Sequence, residues 1–161
     1  MVFRPDVTVA AIVEHDGRFL VVEERAARRI VFNQPAGHLE RNEDLVGAVV
    51  RETLEETGYL LVPEAVTGIY LWPHPTLDRT FLRVAFCGTV SGPDPSRRLD
   101  RCIIRACWMS REQLAARPNV LRSPLVLRCI DDYLAGQRFA LESVAHIDLE
   151  SAPRVRAVIS L

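Results

Sequence analysis

Glu52, Glu55 and Glu56 stand close enough together to share one ion. At 3.6 residues per turn, Glu52 and Glu56 lie about 40° apart around a helix, and Glu52 and Glu55 about 60° apart. Their carboxylates then crowd one side of one turn, where like charges destabilise an isolated helix. Arg51, beside them, offsets part of the repulsion. A divalent cation would offset more, and a set of carboxylate oxygens suits Mg²⁺ or Mn²⁺ rather than zinc. Taken alone, three glutamates are equally well explained as a solvated acidic helix face.

The elements that must position these residues can be read from local pattern. Residues 44–57 carry a helical period: Val46, Val49, Val50 and Thr53 fall on one face, and Glu52, Glu55 and Glu56 lie away from it. Gly58 supplies the stop. Upstream, residues 7–13 read as a β-branched strand, Asp16-Gly17 as a hairpin turn, and residues 19–22 as the returning strand. Residues 25–29 read as a basic loop, and Pro35-Ala36-Gly37 breaks periodic structure. Downstream, residues 65–71, 80–90 and 103–109 read as strands. Ser110 with Gln113 has capping-box spacing, and residues 124–135 read as a second long helix closed by Gly136. Strands that alternate with helices and tight turns predict an α/β fold with a mixed sheet and helices on both faces.

The segment from Gly37 to Tyr59 adds spacing to composition. Gly37 is followed by Glu43, Arg51-Glu52, Glu55-Glu56 and Gly58. This resembles the box of the Nudix hydrolase family, and every fixed polar and glycine position of that pattern matches. Thr53 departs from it, standing where a bulky apolar residue is usual. The resemblance implies the Nudix α/β/α sandwich with a mixed β-sheet, in one domain over 1–161. It implies metal ligation by Glu52, Glu55 and Glu56, with the Gly37 carbonyl often joining them. Nudix enzymes activate water for attack on phosphorus while cations neutralise phosphate charge. Glu52 is one candidate general base, and the carboxylate in that role varies across the family. Arg51 and Glu43 read as orienters of the glutamates, a role compatible with a plain salt bridge between them.

Further strings resemble a phosphatase branch of the same family, over most of the chain to about Glu142. They include Val7-Thr8-Val9-Ala10, Phe19-Leu20-Val21-Val22-Glu23-Glu24, Asn33-Gln34-Pro35-Ala36-Gly37-His38-Leu39-Glu40, Leu121-Arg122-Ser123-Pro124-Leu125-Val126 and Gly136-Gln137-Arg138. That branch acts on nucleoside di- and triphosphates and on the diphosphate of the thiamin pyrimidine, hydroxymethylpyrimidine, and releases inorganic phosphate. The acidic cluster expected before the tryptophan strand is thinned to Asp100, so a carboxylate ligand from outside the box is left open. Arg29 matches a basic position of the similar enzyme and is the candidate phosphate contact. Arg25 and Arg28 are alternatives, and a solvated charged loop is the plainer account of all three. Phe32 and Trp72 are candidates to stack on a base or pyrimidine ring, with core packing an equal reading for each. His38 and His74 are better explained as surface or hydrogen-bonded side chains than as acid–base groups. Arg122 could reach an anion or simply pair with a carboxylate.

Composition bounds the remaining choices. The chain has 161 residues and is 48% hydrophobic, enough for one sizeable core. Its 20 basic and 21 acidic residues give a net charge of -1, so nothing in the overall charge favours a nucleic-acid partner. Every basic side chain is Arg, so any cationic phosphate contact from Lys or Arg must be a guanidinium. The four cysteines, Cys87, Cys102, Cys107 and Cys129, form no CxxC pair and read as small core residues in a reducing compartment. No signal peptide or membrane span is legible, which points to the cytoplasm, a small phosphorylated metabolite as partner, and a monomer or homodimer. Rival readings are a nucleoside-diphosphate-sugar, ADP-ribose or dinucleoside-polyphosphate pyrophosphatase. A non-catalytic sensor with the same fold ranks lower because the box carboxylates are kept, and an RNA-processing enzyme would need one continuous arginine patch.

Overall fold

The computed structural model describes residues 2–147; the sequence-based domain expectation also spans 148–161, which lie outside the described residues. The strands are β1 (Asp6–Ile12), β2 (Glu14–His15), β3 (Arg18–Ala26), β4 (Arg29–Asn33), β5 (Ala36–His38), β6 (Leu60–Pro73), β7 (Thr80–Ser91) and β8 (Ile103–Ser110). The helices are α1 (Leu45–Thr57), α2 (Arg111–Ala115) and α3 (Leu125–Leu134), with short 3-10 turns at Pro118–Val120 and Leu141–Val144. One sheet runs β5-β1-β7-β6 and is mixed: β1 and β7 are parallel, and the other pairs are antiparallel. In the second sheet β3 pairs with β2, β4 and β8, all antiparallel.

Alternation along the paired strands β1 and β7 sorts the core onto two faces. Val9, Ala11, Val84 and Phe86 join the cluster that contains Ala48 and Val49 of α1. Ile12, Ala85 and Cys87 join the cluster that contains Val126, Cys129 and Ile130 of α3. Helices therefore cover both faces of the mixed sheet, as the α/β/α expectation requires.

Several elements differ in extent from the sequence reading. Residues 25–29 are not one loop: Arg25 and Ala26 belong to β3, Arg29 opens β4, and the turn is tightened to Ala27-Arg28 with Ala27 at φ 54°. Pairing with β7 carries β6 from Leu60 to Pro73, past both ends of the apolar run that local pattern detects. The capping box at Ser110 and Gln113 forms, and Gly58 closes α1 at φ 73° with its amide donating to the Leu54 carbonyl.

Candidate active site

Helix α1 begins at Asp44, whose side chain accepts from the Gly47 amide at 2.5 Å. Its buried residues are Ala48, Val49, Glu52, Thr53, Glu56 and Thr57. This corrects the helical-face assignment: Glu52 and Glu56 turn inward, while Val46 and Val50 are only half-buried. Thr53 fits the core despite its hydroxyl, because that hydroxyl donates to the Val49 carbonyl at 2.7 Å within the helix.

Strand β5 brings the glycine of the box to the glutamates. Antiparallel pairing sets Gly37 opposite Val9, and the Ala36 amide donates to Glu56 Oε2 at 2.9 Å. A β-carbon on Gly37 would occupy the space taken by the Glu52 carboxylate, so a side chain there would displace that carboxylate. Arg51 organises the outer side. Its Nε and Nη2 fork onto Glu43 Oε2 and Oε1 at 3.0 and 2.7 Å, and Nη1 reaches Glu52 Oε1 at 2.8 Å and Glu55 Oε2 at 3.1 Å. The His38 carbonyl accepts from Nη2 at 3.1 Å, tying the helix to the end of β5.

Burial sets the electrostatics. It pushes the Glu56 carboxyl up to about 9, with the charges of Glu24, Glu52 and Asp100 adding and the Ala36 hydrogen bond opposing. Burial also raises Glu52 above the usual carboxylate range, outweighing its contact with Arg51. The Arg51 hydrogen bonds hold Glu43 below that range. Asp100 is exposed, and its amide donates to the Glu55 carbonyl at 3.0 Å, so the loop before β8 docks on the end of α1.

Glu24, which the sequence reading did not single out, joins this acidic group from β3. It is buried, and its Oε1 has no hydrogen-bond partner. Among the described residues no three His, Cys, Asp or Glu side chains already converge on one cation position. The donor set nevertheless fits a hard divalent ion: Glu52, Glu55 and Glu56 on one turn, an orphaned buried Glu24 oxygen, and a buried Glu56 whose main charged neighbours among the described residues are the carboxylates Glu24, Glu52 and Asp100.

Glu24, Glu52 and Glu56 line a cleft of about 800 Å³ together with Gly37, Arg29 and Trp72, and Glu55 stands outside that lining. Trp72 stacks on Phe81 with ring centroids 5.8 Å apart and 24° between planes, an aromatic wall beside His74. Arg29 lies at the cleft, exposed, with its guanidinium engaged by the Asn119 carbonyl. Phe32 is elsewhere: it packs in the core at 6% exposure, outside the cleft lining, and only its backbone serves the site by accepting from the Arg122 amide at 2.8 Å. His74 Nδ1 accepts from the Leu77 amide at 3.1 Å, a loop-ordering contact. Arg122 Nε stands 3.9 Å from Glu24 Oε1. The cysteines are free; Cys87 and Cys129 are buried as expected of core residues, but Cys102 is exposed.

A mixed sheet between helices, with a glycine strand packed against a glutamate-bearing helix, defines a class. The NUDIX domain model matches residues 2–128, and the chain belongs to the Nudix hydrolase family. Among individual relatives, it is 43% identical to the phosphatase NudJ of Escherichia coli K12 over 143 residues, covering 88% of this chain and 92% of the relative. A Nudix hydrolase from Nitrosomonas europaea superposes with a TM-score of 0.87 at 46% identity, covering 89% of this chain and 98% of that one. An ADP-ribose pyrophosphatase from Streptococcus suis, 17% identical, superposes at 0.61 over 81% of this chain and 92% of its own, a likeness of fold alone. No helix among the described residues is long and apolar enough to cross a membrane.

Proposed function

We propose that this enzyme uses Mg²⁺, or Mn²⁺ in its place, to hydrolyse a phosphoanhydride bond in nucleoside di- and triphosphates and in hydroxymethylpyrimidine diphosphate, releasing inorganic phosphate. The observation that carries the reading is the inward turn of Glu52 and Glu56 onto a cleft whose glycine strand leaves room for the Glu52 carboxylate. Glu52, Glu55 and Glu56, with the Gly37 carbonyl, would hold the cation. When bound, the cation supplies Lewis-acid stabilisation of charge on the phosphate oxygens. Arg51 and Glu43 fix the carboxylates, and a carboxylate not consumed in ligation can accept the proton of the attacking water. Trp72 offers an aromatic face to a base or pyrimidine ring.

The similarity to a phosphatase supports terminal cleavage, and the test is a time course on GTP, GDP and hydroxymethylpyrimidine diphosphate with coupled phosphate detection, with and without pyrophosphatase. Phosphate should appear without pyrophosphatase and should require added Mg²⁺ or Mn²⁺. Phosphate seen only with pyrophosphatase refutes the phosphatase reading. Turnover of ADP-ribose alone would assign a diphosphate pyrophosphatase instead.

A further inference from the structure

Among the described residues, five buried side-chain atoms have no hydrogen-bond partner: Thr8 Oγ1, Glu24 Oε1, Asn33 Oδ1, Arg83 Nε and Ser123 Oγ. All five residues line the one cleft described above. Buried polar groups are ordinarily paired, and an orphan bears its full desolvation cost. Orphans gathered around a single cavity are the groups that a ligand or solvent entering it would meet.

Arg83 is the most telling of them. It is 7% exposed, and no carboxylate lies within ion-pair distance of it among the described residues. Its Nη1 reaches Gln34 Oε1 at a long 3.4 Å, and Gln34 is itself oriented by donating from Nε2 to the Val126 carbonyl at 2.7 Å. Nearby Cys129 stays a neutral thiol, since burial pushes it up to about 11. Burial lowers the Arg83 pKa; contact with the Cys129 sulfur and the more distant charge of Glu24 oppose this, and Arg122 adds to it. A guanidinium is nonetheless charged in proteins, and a buried one without a counter-ion is unfavourable. The parallel register of β1 and β7 sets Thr8 directly opposite Arg83, so both side chains stand on the same face of the sheet. Ser123 lies just before α3 and adds a second hydroxyl to the cleft.

We propose that Arg83, with the hydroxyls of Thr8 and Ser123, is the anion-recognition site of the cleft and holds a phosphate oxyanion of the substrate as its missing counter-charge. The inference rests on the phosphoanhydride reading for the identity of the anion. Arg83 is a strand residue outside the glutamate box, and its donors suit phosphate oxygens. Asn33 Oδ1, an acceptor, is left for a hydroxyl or amino donor on the organic part of the substrate.

The test measures binding of methylenediphosphonate, a diphosphate that cannot be hydrolysed at its bridge, by calorimetry in EDTA. The wild-type chain should bind it without metal. Arg83→Met should weaken binding at least about tenfold. It should do so with an unchanged or raised melting temperature in the absence of ligand, because an uncompensated buried charge has been removed. A structural role for Arg83 moves stability the other way. Ser123→Ala, a smaller change, should also weaken binding. The inference is overturned if the wild-type chain fails to bind in EDTA, if folded Arg83→Met binds as well as wild type, or if Arg83→Met fails to fold and Ser123→Ala binds normally. None of these results touches the metal-dependent hydrolysis, which is decided separately by the phosphate time course and by Glu56→Gln.

Discussion

Arg51 grips Glu43 through two parallel hydrogen bonds, 3.0 and 2.7 Å long, and with the same guanidinium holds Glu52 and Glu55. One side chain thereby sets the spacing of three carboxylates before any ion arrives. Arg51→Ala should lower both metal affinity and kcat by at least about tenfold, since groups that orient ligands typically matter to that extent. Arg51→Lys should rescue only in part, because an ammonium cannot fork onto Glu43. Calorimetry of Mg²⁺ or Mn²⁺ binding beside steady-state kinetics checks this; unchanged values for both would reduce Arg51 to a surface ion pair.

Glu56→Gln should keep the far-ultraviolet circular dichroism of the wild type and lose at least about a hundredfold in kcat, because charge stabilisation at the reacting phosphate depends on the metal ligands. Activity retained at saturating Mg²⁺ would remove Glu56 from the ligand set.

The same residue predicts a pH signature in the metal-free protein. The Glu56 carboxyl sits at about 9 when folded, above its ordinary value of 4.5 in an unfolded chain. Its contribution to stability is therefore fully present below about 4.5 and is lost as pH rises through about 9. Glu52, also raised by burial, has the same sign. Melting temperature in EDTA should fall between pH 5 and 9, and Glu56→Gln should flatten that slope. A wild-type slope identical to that of the variant would contradict the buried neutral carboxyl.

Gly37→Ala tests the packing of β5 against α1. Its β-carbon meets the movable end of the Glu52 side chain rather than backbone. The chain should fold with a near-normal melting temperature while kcat falls by about tenfold or more, since a small displacement of a positioned group is costly to catalysis. An unimpaired enzyme would show that Glu52 does not need its present position.

Trp72→Ala should raise KM for GDP roughly three- to tenfold with a smaller effect on kcat, in keeping with the loss of one aromatic contact to a ring. A fall in kcat at constant KM would place Trp72 among residues that shape the cleft without touching the substrate.

The chemistry of the box was legible because its signals are local. Glutamates three and four residues apart share a helix side in any context, Gly58 stops the same helix, and Asp16-Gly17 turns the first hairpin. Long-range pairing settled what local pattern could not. Which side of α1 faces inward depended on its packing against β5, β1 and β6, so Glu52 and Glu56 became buried where the apolar period pointed elsewhere. Arg29, basic and close in sequence to the box, met the Asn119 carbonyl across the chain, and Phe32 went into the core because β4 turned it there. Neither Glu24 nor Arg83 carries a local signal of its role: Arg83 is the single charged residue of β7, and Glu24 sits in the charged run Glu23-Glu24-Arg25 near the end of β3. Only the register of β3 and β7 against their neighbours brings them to the cleft, where each keeps a buried polar atom without a partner. A carboxylate cluster on one helical turn follows from covalent spacing and helix geometry, whereas the counter-charges and the walls of a binding cleft follow from contacts between residues tens of positions apart.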